Sequence, residues 1–358
     1  MNANSTHVST EYSQLKTANR RSPIGVAVVG IGYWGPNLLR ALSRVEGARI
    51  LACADLNADR RAWAAREYPD IRIVADYHVL LADPQIQAVV IATPAGTHYA
   101  IASDVLIAGK HLLVEKPICN SVEQGRALCA LARAKQRVLM VDHIFIYNPA
   151  VQKLAEIMRS GQLGDVCYIQ ATRTSLGPRL CEDANIVWDA QIHELYILPF
   201  CLGRLPERVI ATGAAFVRPG IEDVVFTTLF FPGRTIAHCH NTSYAPLKTR
   251  KMIVVGSEKM AVYDDMNEAT RLSIYKRGYA PYNGVDSLGN RGLKLYDDGV
   301  ETPEILWQEP LLVEITHFVD CVLNGTKPIT DGDSAVQVLE LTQAVDRSLK
   351  SGGEVVLL

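Results

Sequence analysis

The apolar run Ile24–Val29 passes directly into Gly30-Ile31-Gly32-Tyr33-Trp34-Gly35, and this junction constrains the fold more than any other feature of the chain. A run with no polar break reads as a strand buried on both faces. The Gly-x-Gly-x-x-Gly that follows opens a segment with helical spacing, the setting in which this motif holds a dinucleotide. Gly30 lets the chain turn, Gly32 leaves room for backbone to approach a pyrophosphate, and Gly35 lets helix and sheet pack closely. Unbonded N–H groups at the helix start would face the phosphates. Pro36 is tolerated there because its missing N–H has no partner to lose. Asp55 ends the second apolar run about 20 residues past the last glycine, where a carboxylate accepts hydrogen bonds from an adenosine ribose and repels a 2′-phosphate. The expected cofactor is NAD(H) rather than NADP(H), a preference that Arg60 and Arg61 weaken slightly. A plain tight turn is the alternative for the loop, and strand, helix and Asp55 together argue against it.

The same rhythm continues to about residue 142. Short apolar runs at 50–54, 71–74, 88–92, 111–114 and 138–141 alternate with amphipathic stretches at 36–45, 58–68, 98–108 and 121–135. Strands alternating with helices predict a doubly wound parallel sheet, a Rossmann domain over residues 23–144. After residue 145 the pattern changes. A helix is expected at 149–160, then strands at 166–174, 207–216, 223–231, 235–242, 251–256, 260–263 and 271–275, several alternating polar and apolar residues. That alternation predicts an open, mostly antiparallel sheet, with one open or partner-facing side, in a second α/β domain, 145–358. The Gly-, Asn-, Asp- and Tyr-rich stretch 279–299 reads as a long loop, and helices are expected at 310–324 and 334–350.

The chain has 358 residues, enough for two domains. Its net charge of −2 gives no electrostatic case for nucleic acid or an anionic membrane. No apolar run approaches the ~20 residues that span a bilayer. Residues 1–22 are polar, lack the apolar stretch of a signal peptide, and read as a flexible arm. Eight cysteines are scattered without a Cys-x-x-Cys pair, mostly in apolar segments. With no signal peptide, this predicts a reducing, cytoplasmic setting.

Glu115-Lys116-Pro117 follows the fifth strand at the carboxyl edge of the predicted sheet, where ligands of such folds bind. Taken alone, Lys116 is a turn lysine in solvent. Together with the glycine loop, Ala92-Thr93-Pro94-Ala95-Gly96-Thr97-His98, Gly109-Lys110-His111, and Trp188-Asp189-Ala190-Gln191-Ile192-His193, the chain strongly resembles the Gfo/Idh/MocA oxidoreductases, with matching segments from about residue 24 to the end. The resemblance implies reversible hydride transfer between a sugar or cyclitol hydroxyl carbon and a nicotinamide, with an open sheet forming the interface of a homo-dimer or homo-tetramer. It implies Lys116 and His193 beside the reacting oxygen, with Asp189 close by. The residues expected at the cofactor are Gly30, Gly32, Tyr33, Trp34, Gly35, Asp55, Leu56, Thr93, Pro94, His98, Glu115 and Lys116.

Physical chemistry agrees. Asp189 and His193 stand four apart and share a helix face. Imidazole, with a pKa near neutrality, suits removal of the hydroxyl proton as hydride leaves. Asp189 would orient it or bind a substrate hydroxyl, and Lys116 would stabilise alkoxide charge. The Gly-Tyr-Trp-Gly-Pro-Asn loop, Val187-Trp188-Asp189 and the segment 255–262 resemble the sugar-nucleotide branch, which includes UDP-N-acetylglucosamine 3-dehydrogenases. That branch implies oxidation of a ring hydroxyl, at C3, to a ketone. The segment departs from the branch pattern Trp-Asp-x-x-Pro-His-Asp, since Ile192 replaces Pro and Glu194 replaces Asp. An altered substrate follows as an alternative, such as a sugar unit of an aminoglycoside-type antibiotic or a cyclitol. An alternative of another class is a non-catalytic NAD(H)-binding sensor or scaffold. Tyr147, Arg173 and Arg179 are further candidates for substrate contact. The arginines would hold a diphosphate or stand in solvent. His238-Cys239-His240 reads as plain strand rather than metal ligands, and no metal is expected.

Overall fold

The computed structural model describes residues 22–177, 184–285, 289 and 291–358. The expected arm, apart from residue 22, lies outside these, as do Arg179 and Cys181. The chain divides into two compact units.

The first unit runs β1 (Ile24–Val29), α1 (Gly35–Leu42), β2 (Ala48–Ala54), α2 (Ala58–Glu67), β3 (Arg72–Val74), α3 (His78–Leu81), β4 (Ala88–Ile91), α4 (Ala95–Ile107), β5 (His111–Glu115), α5 (Val122–Lys135) and β6 (Leu139–Asp142). All six strands are parallel, in the order β3-β2-β1-β4-β5-β6. Building outward from β1 in both directions puts a switch point between β1 and β4, and the glycine loop leaves β1 there. Every residue of β1, β4 and β6 is buried, as two covered faces require. Helix α1 adds Leu38, Leu39 and Leu42, all fully buried. The short α3 was not expected from the sequence.

The second unit begins with a 3-10 turn, Ile144–Tyr147, and α6 (Pro149–Arg159). β7 (Val166–Leu176), a π-helical turn (Val187–Gln191) and α7 (Ile192–Leu202) follow. Then come β8 (Arg208–Ala214), β9 (Val224–Phe230), β10 (Ile236–Thr242), β11 (Tyr244–Gly256), β12 (Met260–Asp264), β13 (Leu272–Val285) and β14 (Arg291–Glu301). The chain closes with α8 (Pro310–Asn324), α9 (Gly332–Lys350) and β15 (Val356–Leu357). The nine-stranded sheet has the order β14-β13-β12-β11-β7-β10-β9-β8-β15. Its pairs are antiparallel except β7 with β10. In β10, Ala237, Cys239 and Asn241 are buried while Ile236 and His238 are exposed, the alternation of a sheet with one open face.

One expectation changes. Residues 279–299 are not a loop: most of them pair as the outer halves of β13 and β14, with Tyr279 opposite Leu295 and Pro281 opposite Leu293. Ladder bonds come from backbone, so a polar, glycine-containing sequence supports them. By contacts, residues 120–126, with the start of α5, belong to the second compact unit and residues 311–332 to the first. Val141 N–H donates to the Thr330 carbonyl at 2.8 Å, and Met140 bridges to Asp331, so this segment covers the β6 edge. Val319 of α8 closes on Gly47, where a Cβ would lie 2.7 Å from its methyl.

Candidate active site

The glycine loop separates requirements of the fold from those of a ligand. Gly30 has φ +94°, and a Cβ there would lie 2.6 Å from the Ala92 carbonyl oxygen. A Cβ on Gly35 would lie 2.4 Å from the Gly30 oxygen. Both glycines are demanded by the protein itself. Gly32 is not, since its nearest neighbour would be Arg60 Nη1 at 3.5 Å, an ordinary contact. Absence of a side chain there leaves a cradle that a Cβ would partly fill, which fits a pyrophosphate drawn close to backbone. Helix α1 has no side-chain N-cap, Pro36 lacks an N–H and the Asn37 N–H turns back to the Trp34 carbonyl at 2.9 Å, so the helix offers an anion its positive end with the Gly35 N–H at its head. Tyr33 and Leu56 are largely exposed on either side.

Asp55 ties the loop to β2. Its Oδ2 accepts the Ile31 N–H at 2.6 Å and its Oδ1 accepts the Asn57 N–H at 2.8 Å. Each oxygen keeps a lone pair for a ribose hydroxyl. Arg60 stands 3.6 Å from Oδ2, and Arg61 Nη1 donates to the carbonyls of Asp55 and Leu56. Arg61 is thereby occupied with backbone.

The ends of β4, β5 and β6 carry the next group. His98 is buried, with Nδ1 2.7 Å from the Pro117 carbonyl and Nε2 2.8 Å from the Thr93 carbonyl. Burial lowers its pKa, against the pull of the two carbonyls. His98, expected at the cofactor, braces the loops after β4 and β5 through the carbonyls of Thr93 and Pro117, the latter following the cis Lys116–Pro117 peptide. Glu115 is the register partner of Asp142 and hydrogen-bonds to it. Two carboxyl groups can do so only by sharing a proton. Burial, then the Asp142 charge, push Glu115 well above the ordinary carboxylate range, with Lys116 acting in the opposite direction. Trp34 Nε1–H donates to Asp142 Oδ2 at 3.1 Å, and Lys116 N–H donates to Glu115 Oε2 at 3.1 Å. The glycine loop and the lysine strand end are therefore joined through one carboxyl pair. The sequence places Asp142 at the end of the sixth strand, near the expected nicotinamide, but carries no sign of its link to Trp34.

In the second unit, Asp189 lies in the π-helical turn and His193 in the first turn of α7. Turns of this kind recur at functional sites. The Ile192 N–H donates five residues back to the Val187 carbonyl. Proline has no such N–H, so Ile192 is chemically part of the turn. Asn185 anchors its start, accepting the Val187 N–H at 3.2 Å on its side chain and the Asp189 N–H at 3.1 Å on its carbonyl. The His193 ring meets Phe145 edge to face, with centroids 4.7 Å apart.

Helix α7 is apolar on nearly every side, as a core helix must be. Glu194 is therefore a buried charge that requires partners. Arg173 of β7 supplies them, with Nε and Nη2 each 2.7 Å from Glu194 Oε1. The Arg173 side chain is 11% exposed. Such a pair is costly to break, about 3–5 kcal/mol when one partner is removed. Arg173, expected to touch substrate, is committed to Glu194. Tyr147, also expected there, is 1% exposed and packed in the core. Arg179 lies outside the described residues. On β10, His238 and His240 stack on Phe226, with Cys239 buried between them on the other face.

Residues 24–143 match the model of an oxidoreductase family with an NAD-binding Rossmann fold, and residues 151–262 match the Gfo/Idh/MocA C-terminal domain. UDP-N-acetylglucosamine 3-dehydrogenase of Acidithiobacillus ferrooxidans is 27% identical over 87% of this chain and 93% of its own length. Its solved structure aligns with a TM-score of 0.78, covering 92% of this chain and 99% of that one. Inositol 2-dehydrogenase of Gluconacetobacter diazotrophicus is 29% identical over 66% of each chain. GenD2 from gentamicin A biosynthesis, solved with NAD, shares the fold at 24% identity and a TM-score of 0.79, covering 95% and 98%. With a dinucleotide cradle in one half and the family's C-terminal domain in the other, the chain belongs to the Gfo/Idh/MocA oxidoreductases and is an NAD-binding enzyme.

Proposed function

We propose that the chain oxidises a ring hydroxyl of a nucleotide-linked sugar, at C3, to a ketone. The observation that carries the reading is the Asp189–His193 pair, built on a π-turn at the head of a buried helix. NAD⁺ supplies the hydride acceptor. His193 takes the hydroxyl proton as the carbonyl forms, and Lys116 stabilises charge developing on the oxygen. Asp189, one turn before the imidazole, orients it or receives a neighbouring substrate hydroxyl. Asp189→Asn separates these roles, since loss of orientation lowers kcat and loss of a substrate contact raises KM. Asp55, Leu56 and the glycine loop hold the adenosine and pyrophosphate, and Thr93, Pro94 and the Glu115–Asp142 pair form the strand ends beside Lys116. Extended similarity to the UDP-N-acetylglucosamine 3-dehydrogenase supports the sugar-nucleotide class.

One observation favours a second reading. Because Glu194 neutralises Arg173, that guanidinium is withdrawn from gripping a diphosphate. A carrier-free sugar, such as a unit of an aminoglycoside, or a cyclitol needs no such grip. Incubation with NAD⁺ and UDP-N-acetylglucosamine, its uronate, an aminoglycoside or inositol, read by NADH absorbance, decides between them. Tight NAD⁺ binding with no turnover on any would instead favour a sensor or scaffold. Association into a homo-dimer or homo-tetramer is proposed through the open face of the large sheet, where Tyr168, Phe226 and Ile236 are exposed. Among the described residues no helix is long and apolar enough to cross a membrane.

A further inference from the structure

We infer that Glu194 is a positioning residue for His193, acting through Arg173 and Phe145. The inference rests on the assignment of His193 as the proton acceptor. Four elements converge on these groups. A donor chain of one polarity runs through the buried layer between α7 and the sheet. Thr227 Oγ1 donates to Gln191 Oε1 at 3.1 Å, Gln191 Nε2 donates to Asn241 Oδ1 at 2.9 Å, and Asn241 Nδ2 donates to Glu194 Oε2 at 2.8 Å. Gln191, Asn241 and Thr227 are all 0% exposed. Both carboxylate oxygens of Glu194 are thus held by donors, Oε2 by Asn241 and Oε1 by Arg173. The side chain has no freedom left, and neither does the guanidinium it holds.

That guanidinium stacks on Phe145, with Cζ 4.3 Å from the ring centroid. Arg250 lies over the same ring at 5.1 Å and is itself held by Asp265 at 3.3 Å. Asp265 also accepts from Asn148 Nδ2 at 3.0 Å, and Asn148 caps α6 directly after the turn that carries Phe145. Each cation is balanced by its own carboxylate, so the cluster is a clamp on an aromatic ring rather than an anion site. The edge of the clamped ring is what His193 meets. An imidazole that must accept a proton at one nitrogen needs a fixed ring plane, and a fixed phenyl supplies one. Glu reaches both Arg173 and Asn241 from its place on α7. Asp, one methylene shorter, would fall short of one of them. Gln would turn an NH₂ toward a donor, leaving a buried donor unpaired.

The test compares Glu194→Gln and Phe145→Leu with the wild-type chain. Three readouts apply: steady-state kinetics on the turned-over sugar, NAD⁺ affinity, and the His193 imidazole resonances of histidine-labelled protein across pH. Both variants are expected to lose about tenfold to a hundredfold in kcat with little change in KM or NAD⁺ affinity. Both should also shift and broaden the His193 resonance. Phe145→Leu leaves the Glu194 hydrogen bonds in place and carries the test if Glu194→Gln does not fold. A normal kcat and an unshifted His193 resonance in folded Phe145→Leu would overturn the inference. An inactive wild-type chain would overturn the assignment of His193 instead, while its resonance still reports whether Phe145 orients the ring.

Discussion

The two sheets obey opposite rules. In the six-stranded sheet, helices cover both faces, so the residues of β1, β4 and β6 are uniformly buried. In the nine-stranded sheet, β10 and its neighbours alternate, leaving Tyr168, Phe226 and Ile236 in the open. The first pattern is closed to partners and open to ligand at its strand ends. The second offers a face. A chain built this way can alter ligand binding at the strand ends of the first sheet with little effect on the open face of the second, the surface proposed for association.

The sharpest way to break this contrast is a matched pair of charges. Val28→Asp in β1 puts an unpaired carboxylate among fully buried neighbours, a cost comparable to the whole stability of a domain, and should leave no folded protein by circular dichroism. Phe226→Lys on the open face should change the stability of the chain by about 0.5 kcal/mol or less in thermal melts. A next, smaller effect concerns the cofactor. Asp55→Ala removes the acceptor of the Ile31 and Asn57 N–H groups, and should weaken NAD⁺ about tenfold to a hundredfold by calorimetry while sparing the second unit. Smaller again is a pH effect strongest in the first unit, while in the second burial lowers the pKa of His240. His111 Nδ1 accepts the Val138 N–H and His317 Nε2 accepts the Ile329 N–H, so both rings are neutral when folded. Burial pushes both pKa values down to about 4. A histidine depressed in the folded state takes its proton more readily when unfolded. Stability is therefore present above the ordinary value near 6.5 and is lost as pH falls from there to about 4. Denaturant melts at falling pH should show the first unit's transition moving ahead of the second's. The smallest effect is that of Phe226→Lys on assembly, a reduced oligomer fraction by light scattering with unchanged turnover per chain.

How much of this was legible in the sequence follows from the same contrast. Uniform burial writes an unbroken apolar run, so β1, β4 and β6 could be placed within a residue or two. The glycine loop and Asp55 were legible because their geometry is local. The outer hairpin was not, because Asn283, Gly284, Gly289, Asn290 and Gly292 outweighed the alternation of Leu293 and Leu295. Burial set by distant chain was invisible as well. Nothing near Tyr147 says that it is enclosed, and nothing near His98 says that both ring nitrogens are taken. Arg173 and Glu194 are 21 residues apart, and Glu194 and Asn241 are 47 apart. Pairing across a sheet and a helix has no periodic signature at such distances. The departures at Ile192 and Glu194 were visible, but only the π-turn and the Arg173 pair give them a physical meaning.

The central claim is that this is an oxidoreductase whose proton acceptor is His193. The direct test is His193→Ala, assayed for turnover of NAD⁺ with the active sugar and, separately, for NAD⁺ affinity. Turnover should fall about 10²–10⁴-fold with affinity nearly unchanged, since the cofactor cradle lies in the other unit. Equal loss of both, or retained turnover, would contradict the account.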